Sequence, residues 1–565
     1  MIYDKHNLYL DRVRNRFEKL YDKEVAEKCL RRFKMLVGRY ELGVYSHPNP
    51  EMWNEKTSYI ITYGDSILEE NKRPLKTLKK FLDEYAIDKI SHVHILPFFP
   101  YSSDDGFSVI HYRQINPELG SWSDIKDIGE QFSLMYDLVL NHVSRKSKWF
   151  TDFDEGIMPA KKFFISVEKN ADLSTVTRPR NLPLLTKVTC KEGEKYLWTT
   201  FSEDQIDLNY SNPDLLFEML DVLLYYIYMG AKSIRLDAIA YLWKKIGTSC
   251  VHLLETHEVV KLMRDLLDLV APDVTIITET NVPQKDNFSY FGEGDEAHMV
   301  YQFPLPPLTV HTLQCGDSKA LMKWAASLEK IPPKTTFFNF LSSHDGIGVV
   351  PATGLLSPEE IDKMIQTVIT HKGLISYKAN SNGTNSPYEM NVNFLDAISH
   401  PDENIDLRAK KMLSAQFILL SFIGVPAIYI HSLLGSVNDL EGVKKTGRNR
   451  SINREKLDYS KVVEALNNPE SLRSKIFSGI IKLLEIRQQH KAFSTESEQK
   501  ILNIHSAVFS LVRSCPEEEI TALNNISDKE VSISIADFKG TDLISGQEIG
   551  HEIKLNPYQY MWIKK

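Results

Sequence analysis

The feature that most constrains this sequence is a series of eight short apolar runs, most of them separated by helical patterns. The runs are rich in aromatic and β-branched side chains, as buried strands are. The intervening patterns, such as Leu215–Tyr228 and Val259–Leu269, place apolar residues at helical spacing. Eight strands that alternate with helices predict a parallel (β/α)8 barrel, an α/β fold. The runs are Tyr59–Tyr63, His92–Phe99, Leu134–Leu140, Ser233–Leu236, Val274–Ile277, Met299–Phe303, Thr336–Phe340 and Val425–Ile430.

Other patterns lie at both ends of the chain and in two long gaps between the runs. Residues 1–55 predict an N-terminal helical extension, and strand-like alternation over 499–565 predicts a small antiparallel β domain. Inserts are expected at 144–205, after the third strand, and at 346–406, after the seventh, where barrels usually build substrate pockets. The apolar residues of the extension are Leu8, Leu10, Val13, Phe17 and Leu20. The segments left for the barrel are 56–143, 206–345 and 407–498.

Charge and cysteine content exclude several classes of function. A formal net charge of -8, from 67 Lys and Arg against 75 Asp and Glu, disfavours nucleic acid because its phosphates are repelled. The five cysteines form no C-x-x-C pair, so reduced thiols in the cytoplasm are expected rather than disulfides or zinc. The N-terminus shows no apolar signal core. A membrane-like stretch from Met412 to Val437 contains Pro426 and is better explained as a helix leading into a buried strand.

Charged residues follow four of the predicted strands. Because the carboxyl ends of parallel strands meet at one rim of a barrel, these side chains are expected to lie together. Each carboxylate alone has a structural explanation, as a helix cap or the partner of a surface cation. Several acids in one cleft, however, repel one another and stabilise a fold poorly, which favours a function. The residues are Asp137 in and His142 after the third strand, Arg235 in and Asp237 after the fourth, Glu279 after the fifth, and His344 and Asp345 after the seventh.

Glycosidic bond chemistry needs this combination of groups. A nucleophile attacks the anomeric carbon, and an acid protonates the departing oxygen. Two carboxyl groups about 5–5.5 Å apart give retention of configuration through a covalent glycosyl-enzyme. A third carboxylate can hold sugar hydroxyls and stabilise an oxocarbenium-like transition state.

The four motifs resemble, in order, the four sequence regions of the α-amylase superfamily. This resemblance implies that Asp237 is the nucleophile, Glu279 the general acid/base and Asp345 the transition-state stabiliser. The residues it implies to hold the nucleophile and the glucosyl hydroxyls are Arg235, His142 and His344.

Further segments are similar to the sucrose phosphorylase group of this superfamily, whose members use phosphate as the second nucleophile and release α-glucose 1-phosphate. The similarity implies that Asp104 and Arg450 hold the far end of the glucosyl ring and that Phe201 and Gln205 line the site. It also assigns Arg180 and Tyr388 to phosphate and acceptor binding. The segments are His94–Phe99, Asp104–Phe107, Leu119–Trp122, Gly247–Cys250, His344–Gly348 and Ile452–Arg454.

The chain departs from the sucrose-specific pattern in its N-terminal extension, in the segment Asp172–Thr186, and at Asn281, where sucrose phosphorylases typically carry His. In these features it resembles glucosylglycerate phosphorylases. That resemblance implies reversible phosphorolysis of 2-O-α-D-glucosyl-D-glycerate to α-D-glucose 1-phosphate and D-glycerate. Phosphate and glycerate are both small anions, so one Arg can bind each in turn.

The sequence leaves alternatives open. Sucrose, sucrose 6-phosphate and glucosylglycerol phosphorylases differ in the acceptor. An α-glucosidase would pass the glucosyl group to water, against which Arg180 and Tyr388 argue, and a non-catalytic amylase-fold protein would lack the catalytic carboxylates. No cofactor and no metal are expected. Small-molecule substrates are the expected partners, without nucleic acid or membrane, and a homodimer is left open.

Overall fold

The computed structural model describes residues 2–44, 51–179, 182–379, 384–536 and 538–565. Within these residues, eight parallel strands close a barrel, each pairing with its neighbours in chain order and the eighth with the first. This confirms the (β/α)8 barrel. Strands β1–β8 span Tyr59–Thr62, His92–Ile95, Ser133–Val139, Ala231–Asp237, Thr275–Thr278, Met299–Tyr301, Thr336–Phe340 and Val425–Tyr429.

Helices cover the outer face of the barrel. The strands are therefore buried on both faces, which explains why they are continuous apolar runs rather than alternating patterns. All five residues of β7 and all five of β8 are buried. The main covering helices are Pro74–Tyr85, Trp122–Gly129, Pro213–Tyr228, Leu254–Val270, Leu305–Cys315, Lys319–Ala326, Ile405–Ser421 and Leu472–Arg487.

Two amphipathic helices, α1 (Ile2–Leu20) and α2 (Lys23–Val37), precede the barrel. Helix α1 packs along the barrel helix Leu254–Val270, and the ring of Phe17 stacks on Phe217 at 5.9 Å. Leu8, although it is one of the apolar residues of the predicted extension, is 61% exposed. It lies nine residues, or about two and a half turns, from Phe17 and hence on the opposite side of the helix.

The two inserts and the C-terminal region add antiparallel sheets. In the first insert, Ser166–Val167, Leu185–Cys190 and Gly193–Trp198 form one sheet, after the helix Lys148–Asp154, and His142–Ser144 pairs with Gln205–Asp207. In the second insert, Ile347–Gly348, Leu374–Ala379 and Asn385–Asn391 form a sheet beside the helix Pro358–Thr370. The C-terminal strands are Glu498–Ile501, Val508–Cys515, Glu518–Asn525, Gly540–Asp542, Glu548–Ile549 and Tyr560–Lys564 in one sheet, and Val531–Ser534 with Glu552–Leu555 in another.

The membrane-like stretch of the sequence is part of the barrel. It contributes the end of the helix Ile405–Ser421 and then strand β8, which holds Pro426. Among the described residues, no helix combines the length and the apolar character that crossing a membrane requires.

Candidate active site

One pocket opens at the carboxyl ends of the barrel strands, between the two inserts. It brings together every predicted site residue that the structure describes. Arg180 lies outside the described residues, so its predicted position stays untested. The predicted residues that line the pocket are Asp104, His142, Phe201, Gln205, Arg235, Asp237, Glu279, Asn281, His344, Asp345, Tyr388 and Arg450.

Arg235 is the central side chain of the site. Residues two apart on a strand point to the same face, so Arg235 and Asp237 of β4 both face the barrel interior. Arg235 Nη1 donates to Asp137 Oδ1 of the neighbouring strand and, at 2.8 Å, to Asp237 Oδ1. Arg235 Nη2 lies 3.8 Å from Glu279 Oε2. Because Arg235 is buried, these carboxylates must balance its charge.

Glu279 follows β5 and reaches toward the turn after Asp237. Its Oε2 accepts a hydrogen bond of 3.2 Å from the backbone N–H of Ala238. Ala238 has left-handed backbone angles, with φ 50° and ψ 31°. Non-glycine residues adopt such angles at a cost of about 1–3 kcal/mol, usually where function requires it. The strained turn thus directs a backbone donor at the carboxyl group of the next strand.

Burial and mutual repulsion govern the protonation of this pair. Burial, with repulsion from Glu279, raises the pKa of Asp237 to about 8 despite the Arg235 guanidinium. Burial likewise raises the pKa of Glu279 against the attraction of Arg235. Carboxyl groups coupled in this way share one proton and titrate as a pair. Arg235 lies closer to Asp237 than to Glu279, so its charge stabilises the ionised form of Asp237 more strongly than that of Glu279.

Asp345, after β7, is held by two arginines and a neutral histidine instead. Arg450 Nη1 lies 2.5 Å from Asp345 Oδ1, and Arg454 Nη2 and His344 Nε2 lie 3.7 Å and 3.5 Å from the same atom. Burial acts to raise the pKa of Asp345, but Arg450, His344 and Arg454 outweigh it and hold this pKa below its usual range. Asp345 is therefore ionised throughout the pH range in which Asp237 and Glu279 share one proton.

The two histidines of the site are neutral. Burial lowers the pKa of His344 to about 3, and its ring stacks on Phe107 with centroids 4.7 Å apart. Burial also lowers the pKa of His142. His142 Nε2 lies 2.8 Å from the carbonyl oxygen of Phe107 and 3.2 Å from Gln205 Nε2. The ring of Phe201 lies 5.3 Å from that of His142. Neutral rings suit the binding of sugar hydroxyls better than the binding of anions.

Asp104 enters the pocket from a strained turn after β2. Asp104, Asp105 and Gly106 have consecutive positive φ values of 53°, 50° and 114°. Asp105 Oδ2 accepts from Arg454 Nη1 at 2.5 Å, which fixes the turn to the loop after β8. Gln205 Nε2 donates to Asp104 Oδ2 at 3.4 Å. The carboxylate of Asp104 therefore enters the pocket, while that of Asp105 fixes the turn in place.

Two further groups line the floor of the pocket and were not predicted as site residues. His94 Nε2 lies 2.6 Å from Asp137 Oδ2, and Tyr301 lies with its ring 5.7 Å from the Arg235 guanidinium carbon. Burial acts to raise the pKa of Asp137, but His94 and Arg235 outweigh it, so Asp137 stays ionised. In the sequence, His94 and Tyr301 could have been noticed as side chains with polar groups within predicted barrel strands, where fully apolar side chains are usual.

Glu389 is a third residue that the sequence reasoning missed. It is buried, its Oε1 accepts from the Gly346 N–H at 2.5 Å, and Arg450 Nη2 lies 3.1 Å from the same oxygen. Arg450 therefore bridges Asp345 and Glu389. The available signal was its position beside Tyr388, which also lines the pocket.

Arg178, the other arginine of the first insert's loop, does not line the pocket. Its guanidinium donates to the carbonyl oxygen of Leu182 on the exposed surface of the insert. Arg178 is therefore a solvated loop residue. Among the described residues, no group of three or more His, Cys, Asp or Glu side chains is arranged to hold a metal ion.

Comparison with known proteins places this pocket in a family. The α-amylase catalytic-domain family matches residues 82–380. The chain is 49% identical to a glucosylglycerate phosphorylase of Spirochaeta thermophila, over 89% of both chains. It is 46% identical to a glucosylglycerate phosphorylase of Escherichia coli, over 91% of this chain and 92% of the relative.

A solved structure has the same fold. The crystal structure of sucrose 6F-phosphate phosphorylase from Thermoanaerobacter thermosaccharolyticum superposes with a TM-score of 0.74 at 26% identity, over 89% of this chain and 99% of that one. The strand order of the barrel, the residues that line the pocket and these similarities all indicate the same family. The chain belongs to the α-amylase family and, within it, to the family of the glucosylglycerate phosphorylases.

Proposed function

We propose that this enzyme is a retaining glycoside phosphorylase that reversibly converts 2-O-α-D-glucosyl-D-glycerate and phosphate to α-D-glucose 1-phosphate and D-glycerate. The observation that carries the proposal is the convergence of Asp237, Glu279 and Asp345 on Arg235 and Arg450 in one pocket. Two relatives of nearly half-identical sequence bear the name of this activity.

The reaction proceeds by two displacements. In the first, an Asp237 oxygen attacks C1 of the glucosyl group, the bond from C1 to glycerate breaks, and Glu279 gives its proton to the departing oxygen. In the second, Glu279 takes a proton from phosphate, a phosphate oxygen attacks C1, and the bond to Asp237 breaks. The first step needs an ionised Asp237 beside a protonated Glu279, and the closer approach of Arg235 to Asp237 favours this distribution of one proton.

The remaining side chains bind rather than react. We assign Asp345 to the charge that develops on the glucosyl ring in the transition state, because it is the carboxylate that its cationic neighbours keep ionised. We assign phosphate and acceptor binding to Tyr388 and Arg180, and Asn281 is a further substrate-binding residue. The side chains that hold the glucosyl ring are Asp104, His142, Phe201, Gln205, Arg235, His344 and Arg450.

Product analysis tests the proposal. The protein is incubated with phosphate and, separately, with glucosylglycerate, sucrose, sucrose 6-phosphate or glucosylglycerol, and glucose 1-phosphate is measured. Rapid release from glucosylglycerate alone supports the proposal. Faster release from another donor would reassign the acceptor, and release of free glucose without phosphate would make the enzyme a glucosidase. Proton NMR of the fresh product should show the α-anomer, and a β-phosphate would exclude two displacements.

The proposal also includes the cellular location and the oligomeric state of the enzyme. The five cysteines are free thiols, of which Cys29, Cys190 and Cys250 are buried, and this fits a reducing cytoplasm. The net charge of -8 fits small-molecule substrates rather than nucleic acid. A homodimer stays part of the proposal, to be tested by sedimentation.

A further inference from the structure

Lys244 is a buried cation beside the site that the mechanism above does not use. It follows Asp237 by seven residues, in the loop after β4, and only 3% of its side chain is exposed. Its Nζ lies 2.6 Å from Asp207 Oδ2 and donates to Asn141 Oδ1, also at 2.6 Å. It does not line the pocket. A buried ammonium needs partners of this kind, since an unpaired charge in the interior is strongly destabilising.

The two partners of Lys244 belong to the segments that carry the glucosyl-binding residues. Asn141 directly precedes His142, and Asp207 pairs with His142 across the two-stranded ribbon of His142–Ser144 and Gln205–Asp207. Asn141 Nδ2 also donates to Asp207 Oδ2, at 3.2 Å. The ammonium therefore joins the end of β3, the return strand of the first insert and the loop after β4.

Asp207 extends this connection to the segment before the ribbon. Its Oδ1 accepts from the backbone N–H of Thr200 at 2.8 Å, and its Oδ2 accepts from Thr200 Oγ1 at 2.6 Å. Thr200 is followed by Phe201, whose ring contacts both His142 and Tyr241. His142 and Gln205 are thus one and two residues away from partners of Lys244, and Phe201 follows Thr200, which is bound by the Lys244 partner Asp207.

We infer that Lys244 is a positioning residue that sets the glucosyl-binding wall, formed by His142, Phe201 and Gln205, relative to the nucleophile Asp237. This inference rests on the proposed function for the meaning of the wall. It explains why a charge is used here: an ammonium contacts an amide oxygen and a carboxylate at once, and links three chain segments through one atom. An apolar side chain at this position would leave Asp207 as a buried charge without its cation.

The experiment compares Lys244→Met with Lys245→Met. The neighbouring Lys245 is a matched control, because its side chain is 64% exposed and its nearest acid, Glu255, lies 3.8 Å away. Release of fluoride from α-D-glucosyl fluoride in the presence of phosphate gives kcat and KM without involving glycerate. Rates are normalised to folded enzyme, and melting temperatures are measured in parallel. The wild type is the reference: if it releases no fluoride, the proposed function fails, whatever the variants do.

For Lys244→Met we expect kcat/KM to fall at least tenfold, mainly through a higher KM, with Lys245→Met within twofold of the wild type. A lower melting temperature with kinetic constants within threefold of the wild type would show that Lys244 serves stability alone, and would overturn the inference.

A second variant covers the case in which Lys244→Met does not fold. Lys244→Met combined with Asp207→Asn removes the unpaired carboxylate, so we expect it to fold and to lose no more activity than the worse of the two single changes, because both remove the same link. Losses that multiply, or failure of both Lys244 variants to fold, would contradict the positioning role.

Discussion

At the scale of single residues, Arg235 and Arg450 both compensate the negative charge of the site, but each is shared among its carboxylates in a different way. Arg235 is shared between Asp137, Asp237 and, at a longer distance, Glu279. None of these three carboxylates is therefore compensated by the full charge of Arg235. Arg450 is committed to Asp345 and Glu389. This division keeps a proton within the reacting pair and none on the third acid, which is what acid catalysis beside a charged stabiliser requires.

Removing the proposed nucleophile should abolish the reaction in both directions. Asp237→Ala leaves no group to form the glucosyl-enzyme, and we expect less than a thousandth of the wild-type rate, with an unchanged circular dichroism spectrum because one rim carboxylate contributes little to the core. The exposed Asp402, changed to Ala, is a suitable control. If the purified, folded Asp237→Ala enzyme kept a tenth of the wild-type turnover, the assignment would be wrong.

The shared proton predicts a bell-shaped pH profile for phosphorolysis. At low pH a second proton neutralises Asp237 and the rate falls; at high pH the pair loses its last proton, Glu279 can no longer protonate the leaving oxygen, and the rate falls again. Because burial raises the pKa of Asp237 to about 8 and also raises that of Glu279, the alkaline limb should lie near pH 8 rather than near pH 5.

Glu279→Gln provides the control for this profile. With α-D-glucosyl fluoride, whose leaving group needs no proton, the variant should form the glucosyl-enzyme without the alkaline limb. An alkaline limb that persists in Glu279→Gln would assign that proton to another group.

Gly106 shows how strongly one residue can constrain the pocket. Its φ is +114°, and a Cβ there would lie 2.6 Å from the carbonyl oxygen of Pro97. Gly106→Ala should therefore displace the turn that carries Asp104, raise the KM for the glucosyl donor at least tenfold and destabilise the fold by about 1–3 kcal/mol. Gly546→Ala is a matched control, with φ +73° and no atom within 4 Å of the added Cβ. Equal donor KM values for both variants would refute this account of Asp104.

At the scale of secondary-structure elements, the N-terminal helices are joined to the barrel by charge as well as by apolar packing. Arg16 of α1 lies within 3.3 Å of Asp265 and Glu258, both buried on the helix Leu254–Val270, and within 2.9 Å of Asp295, in the loop before β6. The extension therefore covers acids that the barrel alone would expose or leave without partners.

Arg16→Met should lower stability by about 2 kcal/mol, because it leaves Glu258 and Asp265 with fewer partners in the interior while Arg12 still contacts Asp265. Arg14→Met on the same helix is the control, since the Arg14 side chain is 38% exposed. Urea unfolding of both variants measures the difference. Equal midpoints would mean that the ion pairs of Arg16 contribute nothing to the attachment of α1.

The elements of the barrel could be predicted from the sequence, whereas the internal structure of the inserts could not. A parallel strand covered on both faces is a continuous apolar run, and this pattern located all eight strands. The inserts contain short antiparallel strands, such as Ser166–Val167, that give no readable period. Helix α1 was predicted from its apolar spacing, yet Leu8 faces solvent, because only tertiary contacts decide where an apolar stripe ends.

The site was predictable where a motif carried it. The motifs of the α-amylase superfamily located Asp237, Glu279 and Asp345, and the structure brings these into one pocket. The sequence did not indicate Glu389 and Lys244, because the contacts of both residues join segments that are far apart in the chain. Glu389 reaches Arg450 across 61 residues, and Lys244 reaches Asn141 across 103. No local pattern reports such contacts.

At the scale of the whole molecule, a chain with a net charge of -8 has to bring phosphate and a second substrate into an acidic pocket. The pocket wall holds five carboxyl groups, and its two arginines are already paired with four of them. Binding of an anion therefore calls for a further cation, and we propose that this cation is Arg180 of the first insert. A cation placed there to bind phosphate would be left without a partner whenever the second substrate is neutral. The carboxyl groups are Asp104, Asp237, Glu279, Asp345 and Glu389.

This charge balance leads to the prediction that D-glycerate is a better acceptor of the glucosyl group from glucose 1-phosphate than glycerol or fructose. A neutral acceptor leaves a cation unsatisfied where phosphate has just departed, at a cost of about 1–3 kcal/mol, which corresponds to roughly tenfold or more in rate. Initial rates with the three acceptors at equal concentration measure the preference. Arg180→Ala should weaken the use of phosphate and of glycerate together while glucosyl-enzyme formation from α-D-glucosyl fluoride changes little. A faster reaction with fructose would indicate a sucrose phosphorylase and a faster one with glycerol a glucosylglycerol phosphorylase, and either result would end the glycerate hypothesis.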